Sequence, residues 1–394
     1  MTAPFSEATL ATIEATVPAL EAAGGQVVQR LYHHLLADPE IRSLFNMSHQ
    51  EGESPQHKAL AGAILAYAQN IRQPQVLAAA IERIAQKHVA LQIMPHHYDA
   101  VEKALMAALG DVLGEAATPE IAAAWQTAYR FLASILIDRE KTLYEANASA
   151  PGGWDGWRRF VITEKHQETA EIASFVLKPV DGGAVAKHLP GQYLTVLLSI
   201  TEEETVRRNY SISCAPNGDA YRITVKHAPQ GKASGWLHAV AQVGDEIDVA
   251  APAGHFYLDL KGKSEVILVS GGVGLTPMIS MLEATSGAGV PITYIHAARN
   301  GTHHAMGAHH RTLADRSVVF YDTPEAADAV GVDYEYKGQI SAEWLVDETK
   351  SKTADYYICG PTPFMRSIVT GLKARGVTAE RIHYEFFGPE SESF

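Results

Sequence analysis

Three different residue periodicities follow one another along this chain of 394 residues, and no single layer or core accommodates all three. Residues 1–147 are rich in Ala, Leu and Gln, with apolar positions at i, i+3 and i+4. Gly and Pro fall where helices would end. Helices are expected at 6–21, 24–37, 55–71, 75–90, 96–109 and 119–146. NASAPGG (147–153) then has linker composition, so an all-α domain 1–147 and a linker 148–153 are expected. From 154 to 262 the grammar is that of short strands: RRFVITE, IASFVLKPV, QYLTVLLS, YRITVKH and DEIDVAA, separated by Gly, Pro and Asp. That spacing predicts an antiparallel β-barrel. Over 263–394 the apolar runs EVILVS, ITYIHAA, VVFYD and DYYICG alternate with helical segments, as in a parallel sheet covered on both faces.

Bulk properties narrow the partners. A net charge of -13 argues against nucleic acid and anionic membranes. There is no run of 18 apolar residues, so an integral membrane protein is not expected. The first residues lack the basic start of a secretory signal. Two cysteines, Cys214 and Cys359, leave a disulfide framework improbable and fit a reducing cytoplasm.

The helical part carries His88, His96 and His97 within ten positions. His88 continues the apolar series Leu77, Ala80, Ile81, Ile84, so one helix face ends in an imidazole. Position alone allows a core histidine bonded to a carbonyl or a metal ligand. His96 and His97 follow Pro95 in the first turn of a helix and read as surface residues. The stripe Trp125, Tyr129, Leu132, Leu136 leads to Glu140, and Tyr98 opens the helix after His88. A carboxylate and a phenol could therefore converge on the far nitrogen of the imidazole, or Glu140 could be a solvated residue near a helix end. Tyr32 lies on the face of Val28 and Leu35, and Gln56 and Leu60 are one turn apart. Such a pocket is apolar with two polar groups, or it is an ordinary core edge.

Two further regions carry cofactor chemistry. In RRNYSIS (207–213), Arg208 and Tyr210 share one side of a strand, a guanidinium for a pyrophosphate and a ring for a planar heterocycle. LPGQY (189–193) precedes a strand, and GKAS (231–234), with Gly231 and Ser234, can open a helix whose N–H groups face phosphate. EVILVSGGVGLTPM (265–278) reads as strand, glycine loop, helix. Gly272 and Gly274 permit the tight turn around Val273 and Leu275, Thr276 suits an N-cap, and Pro277 suits the first helical turn. In YYICGPTPFM (356–365), Cys359 ends a strand, where it could touch a nicotinamide or be an inert buried thiol.

Together with these motifs, LFNMSHQ (44–50), IAQKH (84–88), LQIMPHHY (91–98) and REKTLYEANAS (139–149) resemble the flavohaemoglobins over the whole chain. The resemblance implies a globin fold, a ferredoxin-reductase type FAD barrel and an NAD(P)-binding α/β domain. It implies haem b held by His88, with Tyr98 and Glu140 as hydrogen-bonding partners of the imidazole and Phe45 and Lys87 beside the haem. Tyr32, Gln56 and Leu60 would form the distal pocket. Arg208 would meet the FAD pyrophosphate, Tyr193 and Tyr210 the flavin region and Ser211 its N5, with Asn209 alongside. HYEFFGP (383–389) would bring Glu385, Phe386, Phe387, Gly388 and Pro389 to the flavin; family members often carry cysteine where Phe386 stands. The implied activity is nitric oxide dioxygenation: NAD(P)H electrons pass through FAD to haem, and O2 and NO become nitrate. The alternatives are reduction of alkyl or lipid hydroperoxides, with an apolar ligand in the distal pocket, an oxygen-binding or sensor globin, and a haem-free helical module. A cytoplasmic monomer is expected. Arg299 and Asn300 leave the choice of NADH or NADPH open.

Overall fold

The computed structural model describes residues 5–45, 55–285, 287–349 and 353–388, without the side chains of 55–59 and 308. The chain forms two compact units, one built on 1–148 with 204–207, the other on 149–203 and 208–388.

The first unit is helical: α1 (Glu7–Leu35), α2 (Pro39–Leu44), α3 (Pro55–Gln69), α4 (Ala78–Leu91), α5 (Pro95–Leu113) and α6 (Pro119–Ser149). Ser6 starts α1 by accepting the Thr9 N–H at 3.1 Å. The two helices expected at 6–21 and 24–37 are this one helix, which runs through Pro18 and the Gly24–Gly25 pair. Buried residues lie on both sides of that pair, Leu10, Ile13 and Leu20 before it and Val27, Leu31 and Leu35 after it. Burying these residues offsets a glycine propensity cost of about 1 kcal/mol each. The six-residue α2 escaped the periodicity reading because it is too short to show one. Its signal is local: Pro39 at the first position and Asp38 accepting from the Glu40 N–H at 2.9 Å. Trp125 on α6 is buried in the core of this unit and points its Nε1 at Thr16 Oγ1, 3.3 Å away.

After the helices, β1 (Trp157–Gln167), β2 (Ile172–Pro179), β3 (Tyr193–Ser199), β4 (Thr205–Ser211), β5 (Tyr221–Lys226) and β6 (Glu246–Ala250) form one sheet in the order β4-β3-β6-β1-β2-β5. A bridge between Ile212 and Ile223 links the two edges. Helix α7 (Lys232–Ala239) follows β5. The second sheet contains β7 (Val266–Gly271), β8 (Ile292–Ala298), β9 (Arg316–Tyr321), β10 (Tyr336–Lys337), β11 (Asp355–Cys359) and β12 (Ile382–Glu385). With it come α8 (Leu275–Thr285), α9 (Gly307–His310), α10 (Ala342–Thr349) and α11 (Thr362–Ala374). Its order is β10-β9-β8-β7-β11-β12 and its pairs are parallel. The chain starts at the central β7, grows one way to β10, then returns to lay β11 on the other side. The crevice at such a reversal, beyond the carboxyl ends of β7 and β11, is where open α/β sheets take ligands.

The parallel half buries neutral imidazoles. His296, on β8, accepts from or donates to Ser270 Oγ at 2.8 Å, and its ring stacks on His304 at 4.7 Å between centroids. His310 lies 5.1 Å beyond His304. Burial lowers all three pKa values, to about 4 for His304, to about 3 for His310 and well below 6.5 for His296. His188 is likewise depressed to about 4. In the unfolded chain these groups titrate near 6.5. Between that pH and about 4, unfolding therefore takes up protons, and folded stability falls with acidification by up to about 1.4 kcal/mol per pH unit for each group. Denaturant unfolding of the second unit at pH 7 and pH 5 measures this. Equal stability at the two values would show the imidazoles are not neutral in the fold.

Candidate functional site

In the first unit, α4 ends one turn after His88, where Gln92 takes the left-handed conformation at φ 61° and its N–H returns to the carbonyls of His88 and Val89. The His88 ring is 30% exposed, whereas Glu140 on α6 is 2% exposed. His88 Nδ1–H donates to Glu140 Oε1 at 2.8 Å, with the Tyr98 oxygen 2.9 Å away. Tyr98 Oη donates to the same carboxylate oxygen at 2.5 Å. Tyr129 Oη in turn donates to the Tyr98 carbonyl at 2.8 Å, which holds the start of α5 against α6. Burial, then the charge of Glu140, pushes the Tyr98 phenol far up, so it stays a donor. With Nδ1 committed to a carboxylate, a neutral His88 presents its lone pair at Nε2, which has no hydrogen-bond partner among the described residues. The donor set thus suits a metal ligand of raised basicity.

Tyr32, on α1, is buried, and burial pushes its pKa up to about 12. Its ring meets Phe45, just after α2, edge-on at 5.5 Å. Leu60 on α3 is half-buried beside the same core, and Lys87 on α4 is half-buried. Gln56 falls in α3, but its side chain lies outside the described residues. The expectation that His96 and His97 are both surface residues holds for His96 only. His97 is 6% exposed, because its Nδ1 accepts the Met94 N–H at 2.9 Å and its Nε2 faces Glu40 on α2 at 3.1 Å.

In the second unit LPGQY folds as a turn into β3. A Cβ at Gly191 (φ 111°) would lie 2.5 Å from the Phe256 carbonyl oxygen, so only glycine fits. Tyr193 follows, with its hydroxyl buried and unpartnered among the described residues. Burial and the charge of Glu385 raise its pKa. An orphaned phenol is a cost of about 1–3 kcal/mol unless a bound group satisfies it, and FAD offers acceptors. On β4, Arg208 and Tyr210 are half-buried, Asn209 is exposed and accepts from Thr195 Oγ1 at 2.8 Å, and Ser211 is buried at the strand end. Gly231 is the N-cap residue of α7. Ser234 Oγ accepts the Ala228 N–H at 3.1 Å and donates to the Gly231 carbonyl, which shapes the loop before that helix.

The glycine loop after β7 is a 3-10 turn over Gly272–Gly274, with Gly272 at φ 53° and Val273 half-buried. Leu275 already begins α8. Thr276 is consequently not the N-cap: it sits inside the first turn before Pro277, and its hydroxyl donates to the Val273 carbonyl at 3.1 Å. Gly274 abuts β11 so closely that a Cβ would lie 2.3 Å from the Cys359 carbonyl oxygen. The loop therefore leaves backbone, not side chains, at the crevice, as a dinucleotide requires. One transverse row of the sheet aligns His296, Ser270, Cys359 and Glu385. Cys359 is buried and its thiol is raised by burial, so it is no thiolate at neutral pH. Phe386 packs edge-on against Tyr384, while Phe387 and Gly388 are exposed. Pro389 lies outside the described residues. Asn300 is buried and donates to Glu325 at 2.9 Å, whereas Arg299 beside it is exposed. Sequence reading missed Glu283 on α8, which takes Arg222 of β5 at 2.7 Å and the Ala215 N–H at 2.8 Å. That carboxylate ties the helix of the glycine loop to the antiparallel sheet, and nothing local in the sequence marks it.

Family models match the chain in three consecutive stretches: Globin over 28–136, Oxidoreductase FAD-binding domain over 159–257 and Oxidoreductase NAD-binding domain over 268–370. A flavohemoprotein of Xylella fastidiosa is 46% identical over 100% of this chain and 99% of its own length. The chain belongs to the flavohemoprotein family. A flavohemoprotein of Rhizobium meliloti is 44% identical over 96% of this chain and 97% of its own. Among solved structures, the flavohemoglobin of Malassezia yamatoensis, with bound FAD and heme, aligns with a TM-score of 0.84 at 26% identity, over 97% of this chain and 99% of that one. The FAD/NAD-binding domain of a nitric oxide dioxygenase from Vibrio cholerae aligns with a TM-score of 0.52 at 36% identity, over 59% of this chain and 99% of that one. As a flavohemoprotein the chain is an oxidoreductase with a globin, an FAD-binding and an NAD-binding part, as the motifs implied. Among the described residues no helix is long and apolar enough to cross a membrane, and both cysteines are free and buried.

Proposed function

We propose that this flavohemoprotein is an NAD(P)H-dependent nitric oxide dioxygenase. Its balance is two NO, two O2 and one NAD(P)H giving two nitrate, NAD(P)+ and one proton. The observation that carries the reading is the His88–Glu140–Tyr98 group, with Nδ1–H donated to a buried carboxylate and Nε2 left for iron. The nitric oxide dioxygenase from Vibrio cholerae supports it over the FAD- and NAD-binding part. When bound, a nicotinamide supplies electrons in pairs, haem iron accepts them singly, and flavin converts between the two.

The residues divide the work in this reading. His88 holds the haem b iron, and Glu140 and Tyr98 fix its tautomer and make it a stronger donor, which favours oxygen activation over carriage. Phe45 and Lys87 would line the haem pocket. Tyr32, whose phenol keeps its proton, would donate a hydrogen bond to O2, and Gln56 and Leu60 would be the other residues of the distal side. Arg208, Asn209, Tyr210 and Ser211 cradle FAD with Tyr193 and the Gly231–Ser234 turn. Gly272, Val273, Gly274, Leu275, Thr276 and Pro277 bring backbone to the NAD(P)H pyrophosphate. Cys359, Glu385, Phe386, Phe387, Gly388 and Pro389 border the hydride path. The domains then run 1–147, 154–262 and 263–394 about the linker 148–153, and the protein works as a monomer in the cytoplasm. An NO electrode tests the activity. Aerobic NO loss should require NAD(P)H, yield nitrate and run at two NO per NAD(P)H. NO loss that continues without NAD(P)H, or NAD(P)H-driven loss of an alkyl hydroperoxide in preference to NO, overturns it.

A further inference from the structure

Away from the His88 site, the start of α5 and the short helix α2 bring three donors of metal-ligating type together. Glu40 Oε1 lies 2.9 Å from His96 Nε2 and 3.1 Å from His97 Nε2, and the two imidazole rings are 4.1 Å apart. One candidate ligand atom from each residue lies within 4.8 Å of the other two. Glu40 and His96 also line a cavity of about 540 Å³ with Asp38, Asp99 and Lys103, so solvent reaches the group and a ligand has room beside it. We propose that Glu40, His96 and His97 form a binding site for a divalent first-row transition ion such as Zn2+, with water from the cavity filling the remaining position.

Donor type and spacing carry the inference. Two imidazoles and one carboxylate are a set that zinc uses, whereas Mg2+ and Ca2+ prefer oxygen ligands. Ligands on a tetrahedral zinc ion at roughly 2.0–2.2 Å stand about 3.3 Å apart, so the oxygen-to-nitrogen separations need to open by only a few tenths of an ångström. Pro95 fixes the first turn of α5, and α2 is held at its start by Asp38, so both halves of the site sit on ordered helix ends. The tautomer of His97 sets the affinity. Its Nδ1 accepts the Met94 N–H, so in the metal-free form Nε2 carries the proton and points it at Glu40. Ligation through Nε2 moves that proton to Nδ1 and gives up the bond to the Met94 N–H, whose residue is 44% exposed and open to water instead. Giving up one such bond lowers the affinity by about tenfold, and with only three protein ligands, two of them at exposed side chains, the site is weaker than a four-ligand structural zinc site.

Calorimetric titration of Zn2+ into the full-length holoprotein tests this. One equivalent should bind below millimolar Zn2+ concentration. His96→Ala and Glu40→Gln, both at exposed side chains, should each weaken that equivalent at least tenfold. His166→Ala, at an exposed histidine far along the chain, should leave it unchanged. Failure to bind Zn2+ up to millimolar concentration, or binding indifferent to His96→Ala and Glu40→Gln, overturns the proposal. Haem and flavin absorbance recorded on each variant confirms that it is folded, so a lost equivalent reads on the site itself.

Discussion

Replacing His88 by alanine removes haem from the purified chain and leaves FAD in place. The side chain is the proposed iron ligand, and its neighbours are arranged around that role. Glu140 is 2% exposed and takes its hydrogen bonds from His88 and Tyr98. Without the imidazole the buried carboxylate loses one of its two hydrogen-bond donors, which costs about 1–3 kcal/mol. The variant therefore loses both the ligand and the electrostatic reason for the pocket. The proposed flavin residues from Tyr193 to Ser234 and at the end of β12 belong to the second compact unit, so FAD binding should survive. Absorption spectra should show the flavin bands without a Soret band, and added imidazole should restore part of it. A normal haem spectrum in the variant would remove His88 from its role.

The second large effect is expected at Tyr32. Tyr32→Phe keeps the ring against Phe45, so haem is retained, but it deletes the hydroxyl. A hydrogen bond to a ligand that develops charge contributes about 1.5–3 kcal/mol, so O2 should dissociate roughly tenfold to a hundredfold faster and NO turnover should fall. Because the phenol is pushed up to about 12, the difference between the two proteins should not vary between pH 6 and 9. Flash photolysis of the O2 complex measures the dissociation. An unchanged rate would mean that the hydroxyl does not reach the ligand.

Much of this architecture was legible because periodicity reports faces. His88, Tyr98 and Glu140 lie on three helices; His88 and Glu140 each end an apolar stripe and Tyr98 opens the next helix, and they meet within 2.9 Å. The three successive grammars likewise anticipated the helical unit, the antiparallel sheet and the parallel sheet. What escaped depended on tertiary partners. Gly24 and Gly25 looked like a break because propensity is local, whereas the apolar residues of α1 before and after them are buried by other helices. His97 looked exposed because its partner, Glu40, is 57 positions away. Thr276 looked like a cap because a threonine before a proline often is one, but after the 3-10 turn over Gly272–Gly274 the helix starts at Leu275, two residues earlier than such a cap implies. The stacked imidazoles of His296, His304 and His310 depend on the fold of the segment after β8, which no local pattern announces.

The central claim is that His88 Nε2 bonds the haem iron while Glu140 draws on Nδ1–H. Resonance Raman spectroscopy of the reduced full-length protein, with and without 15N-histidine, measures that bond directly. An iron–nitrogen stretch that shifts on labelling and drops in frequency in Glu140→Gln is the predicted result. A spectrum without an isotope-sensitive iron–nitrogen mode, or one that Glu140→Gln leaves in place, would contradict the account.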